Sequence, residues 1–203
     1  MLAKSLESLI IGVSIAAIPG PIFFELVRRT LTKGLFSGVL LVLGEFSGNF
    51  LLLLVIFFST SHLLADHLAR TVLFAMGSLV LVWVSVSAFR LEVKQVESSY
   101  NHESSNVKAE SYIAGLGIAV TSPIVIALWI SLSGSYLNAL HDRGIAFLNV
   151  FLIASGFLLF FIPVALVLHH TRHRIPPKKV VALSKLFGLV LVVYAVVLAV
   201  QAF

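Results

Sequence analysis

Apolar residues in this chain gather in long continuous runs instead of alternating with polar ones. The runs are Leu6 to Val27, Leu35 to Phe58, Val72 to Phe89, Tyr112 to Leu140, Ile145 to Leu168 and Leu186 to Phe203. Each is near the ~20 residues that carry a helix across a bilayer, so six spans are expected. A closed strand barrel would need short segments of alternating polarity, which these Leu-, Val-, Ile- and Phe-rich runs lack. The pattern predicts an all-α integral membrane protein with six transmembrane helices.

Two interruptions break the pattern inside apolar runs. Pro19-Gly20-Pro21 lies in the first and Thr121-Ser122-Pro123 in the fourth. Prolines at 19, 21 and 123 cannot donate to the carbonyls of Ile15, Ala17 and Ala119, so each helix is opened where hydrocarbon surrounds it. Such breaks persist where protein or a water-lined cavity satisfies them, and a matched pair points to a transport site. From Glu92 to Ser111, Ser, Asn, Glu and Lys replace the aliphatics, which reads as a flexible polar linker. It divides the chain into a first three-helix unit (1–91), the linker (92–111) and a second three-helix unit (112–203). Three is odd, so the second unit starts from the opposite side of the membrane. Similarity between the halves would therefore be an inverted repeat, with a proline-broken first helix in each. At residue level the echo is faint: Gly12 precedes Pro21 by nine positions and Gly115 precedes Pro123 by eight.

Composition agrees with the runs: 59% of residues are hydrophobic and 11% charged, with a mean hydropathy of +1.07. This is more apolar side chain than a soluble domain of this length could hide. The first run is long for a signal sequence and holds Glu7, Pro19 and Pro21, so it is expected to be a retained span. A net charge of +5 is explained by position and not by nucleic acid. Arg28, Arg29, Lys33, Arg90, Lys94, Lys108, Arg172, Arg174, Lys178 and Lys179, ten of the fourteen basic residues, fall in the first, third and fifth connections. Those connections are therefore expected in the cytoplasm and both termini outside the cell membrane. The absence of cysteine rules out disulfides, thiolate metal sites and dithiol relays.

Depth draws the polar features together. At ~1.5 Å per residue from the cytoplasmic end of each span, Pro19 lies roughly 12 Å in, Glu45 roughly 15 Å and Pro123 roughly 16 Å. All three fall near the middle of a hydrocarbon layer about 30 Å thick. Gly20 and Pro21 can start a half-helix running inward, and Ser122 can cap one that starts at Pro123 and runs outward. Helix starts of this kind suit a carboxylate. Packing kinks are the other reading of these prolines. Glu45 is a mid-membrane carboxylate, which is costly unless neutralised, paired or hydrated, and is expected to bind a substrate ammonium or carry a proton. A neutral acid hydrogen-bonded to a neighbouring helix is the alternative. Asn49 follows one turn later, framed by Gly44 and Gly48. Glu25 has the spacing to pair with Arg28 or Arg29 and is otherwise a gate or proton-coupling residue. His169, His170 and His173 sit in a basic juxtamembrane run better matched to anionic lipid than to a metal, and no metal site or other cofactor is expected. No catalytic triad or phosphate-binding glycine loop is present, so ATP-driven transport and enzymatic chemistry are not expected, and an ion gradient would supply the energy.

The run from Gly12 to Pro21, followed by Lys33-Gly34-x-x-x-Gly38 and Leu43-Gly44-x-x-x-Gly48, resembles the LysE/RhtB family of amino-acid exporters. The resemblance implies six spans, a second proline motif opening the fourth, and a pathway lined by Pro19, Gly20, Pro21, Ser122 and Pro123. The family often has Asn-Pro where this chain has Ser122-Pro123, and an acid is common where Asn49 stands; Glu45, one turn earlier on the same face, is the acid here. With Glu45, Asn49 and Thr121, the proline motifs form the expected substrate-binding set, and Glu45 and Glu25 the expected proton-coupling pair. The implied activity is proton-coupled export of an amino acid or related small metabolite. Partners would be that substrate, protons, the lipid bilayer and, through the remaining apolar faces, a second copy of the chain. Divalent-cation efflux, a broken-helix membrane enzyme and a non-transporting scaffold are the competing readings.

Overall fold

The first apolar run folds as two helices, because Pro19 and Pro21 cannot donate the hydrogen bonds that would join them. In the structure, a computed structural model that describes residues 2–58, 67–101, 107–122, 125–126, 129 and 143–202, α1 (Leu2–Ala16) and α2 (Pro21–Lys33) meet at a bend of 74°. The chain then continues as α3 (Leu35–Phe58), α4 (His67–Phe89), α5 (Val93–Asn101), α6 (Val107–Thr121), α7 (Arg143–Thr171), a 3₁₀ turn (Arg172–Arg174) and α8 (Pro177–Ala202). No strand occurs among the described residues.

Among the described residues, three helices are long and apolar enough to cross a membrane, four if the bent α1–α2 pair is one span. Six were expected. Of the others, α4 contributes a shorter apolar helix, Ser78–Phe89, and most of the run from 112 to 140 lies outside the described residues.

Boundaries differ from the sequence reading where charge is neutralised or an apolar face is covered. The first run extends past Val27 because α2 carries Arg28, Arg29 and Lys33 into ion pairs. The segment read as a flexible linker holds α5, whose Val96 is buried in an apolar cluster with Val27, Leu31, Leu91, Val180 and Val181. The last helix begins at Pro177, with proline at its first position, rather than at Leu186. Pro163 lies inside α7, which continues past it to Thr171.

Three seams hold the bundle: α3 against α6, α4 against α8 and α1 against α7. Glycines make two of them close. A Cβ on Gly115 would collide with the Leu41 carbonyl oxygen and one on Gly44 with that of Tyr112; one on Gly12 would collide with the Ile153 carbonyl oxygen and one on Gly156 with the Val13 nitrogen. Small residues allow such backbone approach, which dispersion then stabilises. Between α2 and α3 the only connecting residue is Gly34, at φ 92°, a left-handed value that glycine adopts without strain.

Candidate functional site

The chain turns at Pro19 and Gly20 beside the middle of α3. α1 closes with the Ile18 amide donating to the Ile15 carbonyl at 3.1 Å, a tighter bond than the one Pro19 cannot make. Gly20 is the N-cap of α2 in extended backbone (φ −135°, ψ −173°), no side chain caps this start, and Pro21 occupies the first helical position. The Gly20 carbonyl accepts from the Phe23 and Phe24 amides at 3.0 and 3.3 Å. On the other side of the bundle α6 ends at Thr121 and Ser122 is non-helical. The Ser122 carbonyl then accepts from the Ile126 amide at 2.9 Å, so helical bonding restarts there as it does at Gly20. Pro123 lies outside the described residues.

Between these two restarts is a cavity of about 50 Å³, lined by Pro19, Gly20, Pro21, Glu45 and Ser122 together with aliphatic and phenylalanine side chains. At 10–15 Å³ for one water, it has room for a few. Glu45 is 2% exposed, and its Oε2 has no hydrogen-bond partner. A buried, unsatisfied carboxylate oxygen is costly, and a polar ligand in the cavity would relieve that cost.

Asn49 and Thr121 are buried nearby but do not line the cavity. The Thr121 hydroxyl donates to the Gly117 carbonyl at 2.5 Å. The Asn49 Oδ1 accepts from the Trp129 indole at 3.2 Å, while its Nδ2 has no partner. Trp129, wholly buried, stacks at a tilt on Phe157 with ring centroids 5.7 Å apart. Trp129 is not among the site residues that the sequence singles out. The missed signal is its spacing: seven positions after Ser122, it falls on the same helical face.

Glu25 is set in a charged network apart from the cavity. Arg28 donates to both of its carboxylate oxygens, Nε to Oε2 at 2.7 Å and Nη2 to Oε1 at 2.5 Å, and Arg29 Nε donates to Oε1 at 2.5 Å. Arg29 also reaches Ser111 Oγ at 2.9 Å and Glu110 Oε1 at 3.2 Å. Arg28 Nη2 bonds Ser87 Oγ at 3.1 Å, and Lys33 Nζ bonds both Glu110 oxygens at 3.2 Å. Three basic side chains on α2 thus meet carboxylates from α2 and α6, and Arg28, Arg29 and Glu25 are fully enclosed. Glu110 precedes the apolar run of α6. Burial pushes its carboxyl up, but Arg29 and Lys33 outweigh burial and hold it below the ordinary range.

The LysE type translocator family matches residues 13–202, a stretch that contains both helix restarts, Glu45 and the charged network. The chain belongs to this family. A member of a translocator family with several membrane-crossing helices is a multi-pass membrane protein. A curated relative from Bacillus subtilis (strain 168), named "Putative amino acid efflux protein YcgF", is 24% identical over 135 residues, covering 65% of this chain and 63% of the relative. The chain thus matches less than two thirds of that relative's length. No solved structure matches significantly. No cluster of His, Cys, Asp and Glu able to hold a metal ion occurs among the described residues.

Proposed function

We propose that this LysE type translocator is a secondary exporter of an amino acid or related small metabolite, which it exchanges for protons across the cell membrane. The observation that carries the reading is the cavity lined by two helix restarts and by a carboxylate, Glu45, one of whose oxygens has no hydrogen-bond partner. The uncapped start of α2 offers amide donors and a positive dipole end to the substrate carboxylate. Glu45 receives the substrate ammonium in one half of the cycle and a proton in the other. Pro123, next in sequence after Ser122, belongs with Thr121 to the proposed substrate-binding set, and Asn49, held by Trp129 one turn behind Glu45, orients that acid. Glu25 serves on the cytoplasmic side, taking up a proton only when Arg28 and Arg29 release it. The efflux function named for the Bacillus subtilis relative supports amino acids as the cargo.

Alternating access comes from two inverted three-helix halves, residues 1–91 and 112–203, with both termini outside. The packing supports this symmetry. Exchanging the halves converts the α1–α7 seam into the α3–α6 seam and returns α4–α8 to itself, and these are the three principal seams of the bundle. The exchange extends to single residues: the carbonyl that a Cβ on Gly12 would strike is three positions before Gly156, and the one for Gly115 is three positions before Gly44.

The test is efflux in reconstituted vesicles, with substrate and proton movement recorded together for wild type and Glu45→Gln. Loss of coupled export in the variant is expected. Unchanged export and unchanged proton movement would remove Glu45 from the mechanism.

A further inference from the structure

Resting on the exporter reading, we infer that the cavity selects α-amino acids with uncharged aliphatic side chains and discriminates against cationic and anionic ones. Charge is the first consideration. Among the described residues that line the cavity, Glu45 is the sole ionisable side chain. One carboxylate matches one ammonium. An amino acid whose side chain carries a second positive charge would leave that charge buried without a partner, which is expensive at this depth. An acidic side chain would bring a second carboxylate beside Glu45 and meet repulsion as well as desolvation.

The walls give the second consideration. Beyond the restarts and Glu45, the surface is made by side chains such as Ile15, Ile22, Ile118, Val125, Phe157 and Phe161. They come from α1, α2, α6, α7 and the segment after Ser122, so the ligand's side chain would be enclosed by apolar groups from several elements. Such a wall rewards each added methylene and offers no compensating bond to a polar side chain. Phe157 packs against Trp129 and against Phe161, with ring centroids 5.7 and 6.3 Å apart. These packed rings form a wall that limits how large a side chain the cavity takes. The restart at Gly20 and the unpartnered Oε2 of Glu45 fix the amino and carboxyl groups, so discrimination falls on the side chain.

The experiment uses the full chain in vesicles loaded in turn with labelled leucine, lysine and glutamate, together with Phe157→Ala loaded with leucine and phenylalanine. Leucine export is expected, with lysine and glutamate slower on the order of a hundredfold. Phe157→Ala is expected to raise phenylalanine export relative to leucine. Lysine or glutamate exported as fast as leucine would overturn the selectivity while leaving the exporter reading intact. Vesicles in which correctly folded wild-type protein moves none of the three would overturn both. If Phe157→Ala does not fold, the wild-type comparison decides alone.

Discussion

At the scale of single residues, the two buried glutamates occupy opposite electrostatic situations. Glu25 is surrounded by guanidinium donors, whereas Glu45 lines a cavity and its Oε2 has no hydrogen-bond partner. Their substitutions should separate accordingly. Glu25→Gln leaves Arg28 and Arg29 enclosed without their acid, and a loss of about 3–5 kcal/mol is expected, read as a fall in the thermal midpoint in detergent. Glu45→Gln removes an unsatisfied charge-bearing group and is expected to hold or raise that midpoint while coupled export is lost. Glu110 predicts a pH effect. Its folded pKa lies below its ordinary value of 4.5, so its contribution to stability is complete above that value and is lost as pH falls through the lowered folded one. Thermal midpoints measured down the acid range should show this loss in wild type and a smaller one in Glu110→Gln. The Glu25 pairing was legible from three- and four-residue spacing on one helix, but Glu110, Ser87 and Ser111 come from other helices and only folding brings them to α2.

Helices show which local signals survived packing. Proline and glycine chemistry located both interruptions, because a missing N–H acts whatever surrounds it. Length and polarity misjudged α5 and the start of α8: Val96 and Val180 have a buried face only because Val27 and Leu31 on α2 supply it, and apolar runs do not report such partners. Glycines divide likewise between seam and turn. Gly115→Ala forces a methyl against the Leu41 backbone, whereas Gly20→Ala meets nothing closer than the Ile18 carbonyl oxygen at 4.0 Å. The first is expected to cost about 1–3 kcal/mol through separation of α3 and α6. The second, in extended backbone that any residue adopts, should leave the thermal midpoint nearly unchanged. An unchanged midpoint in Gly115→Ala would mean that the α3–α6 seam yields to the added methyl.

For the molecule as a whole, the sequence without cysteine makes orientation directly measurable. Single cysteines at Lys4 and at Lys178 should react differently with a membrane-impermeant thiol reagent applied to intact cells, the first labelled and the second protected until lysis. The reverse pattern would invert the assignment drawn from basic residues. The exchange of seams between halves predicts that Gly12→Ala and Gly115→Ala lower the thermal midpoint to similar extents, since each opens one of a matched pair. Gly34 bears on how the two sides of the bundle communicate. A single residue joins α2 to α3, leaving no slack in which a rotation of one could dissipate before reaching the other. Any tilt that parts Arg28 and Arg29 from their acids is therefore expected to turn the rod that carries Glu45, so that under the proposed exporter cycle the charged network and that acid would act as the two arms of one lever.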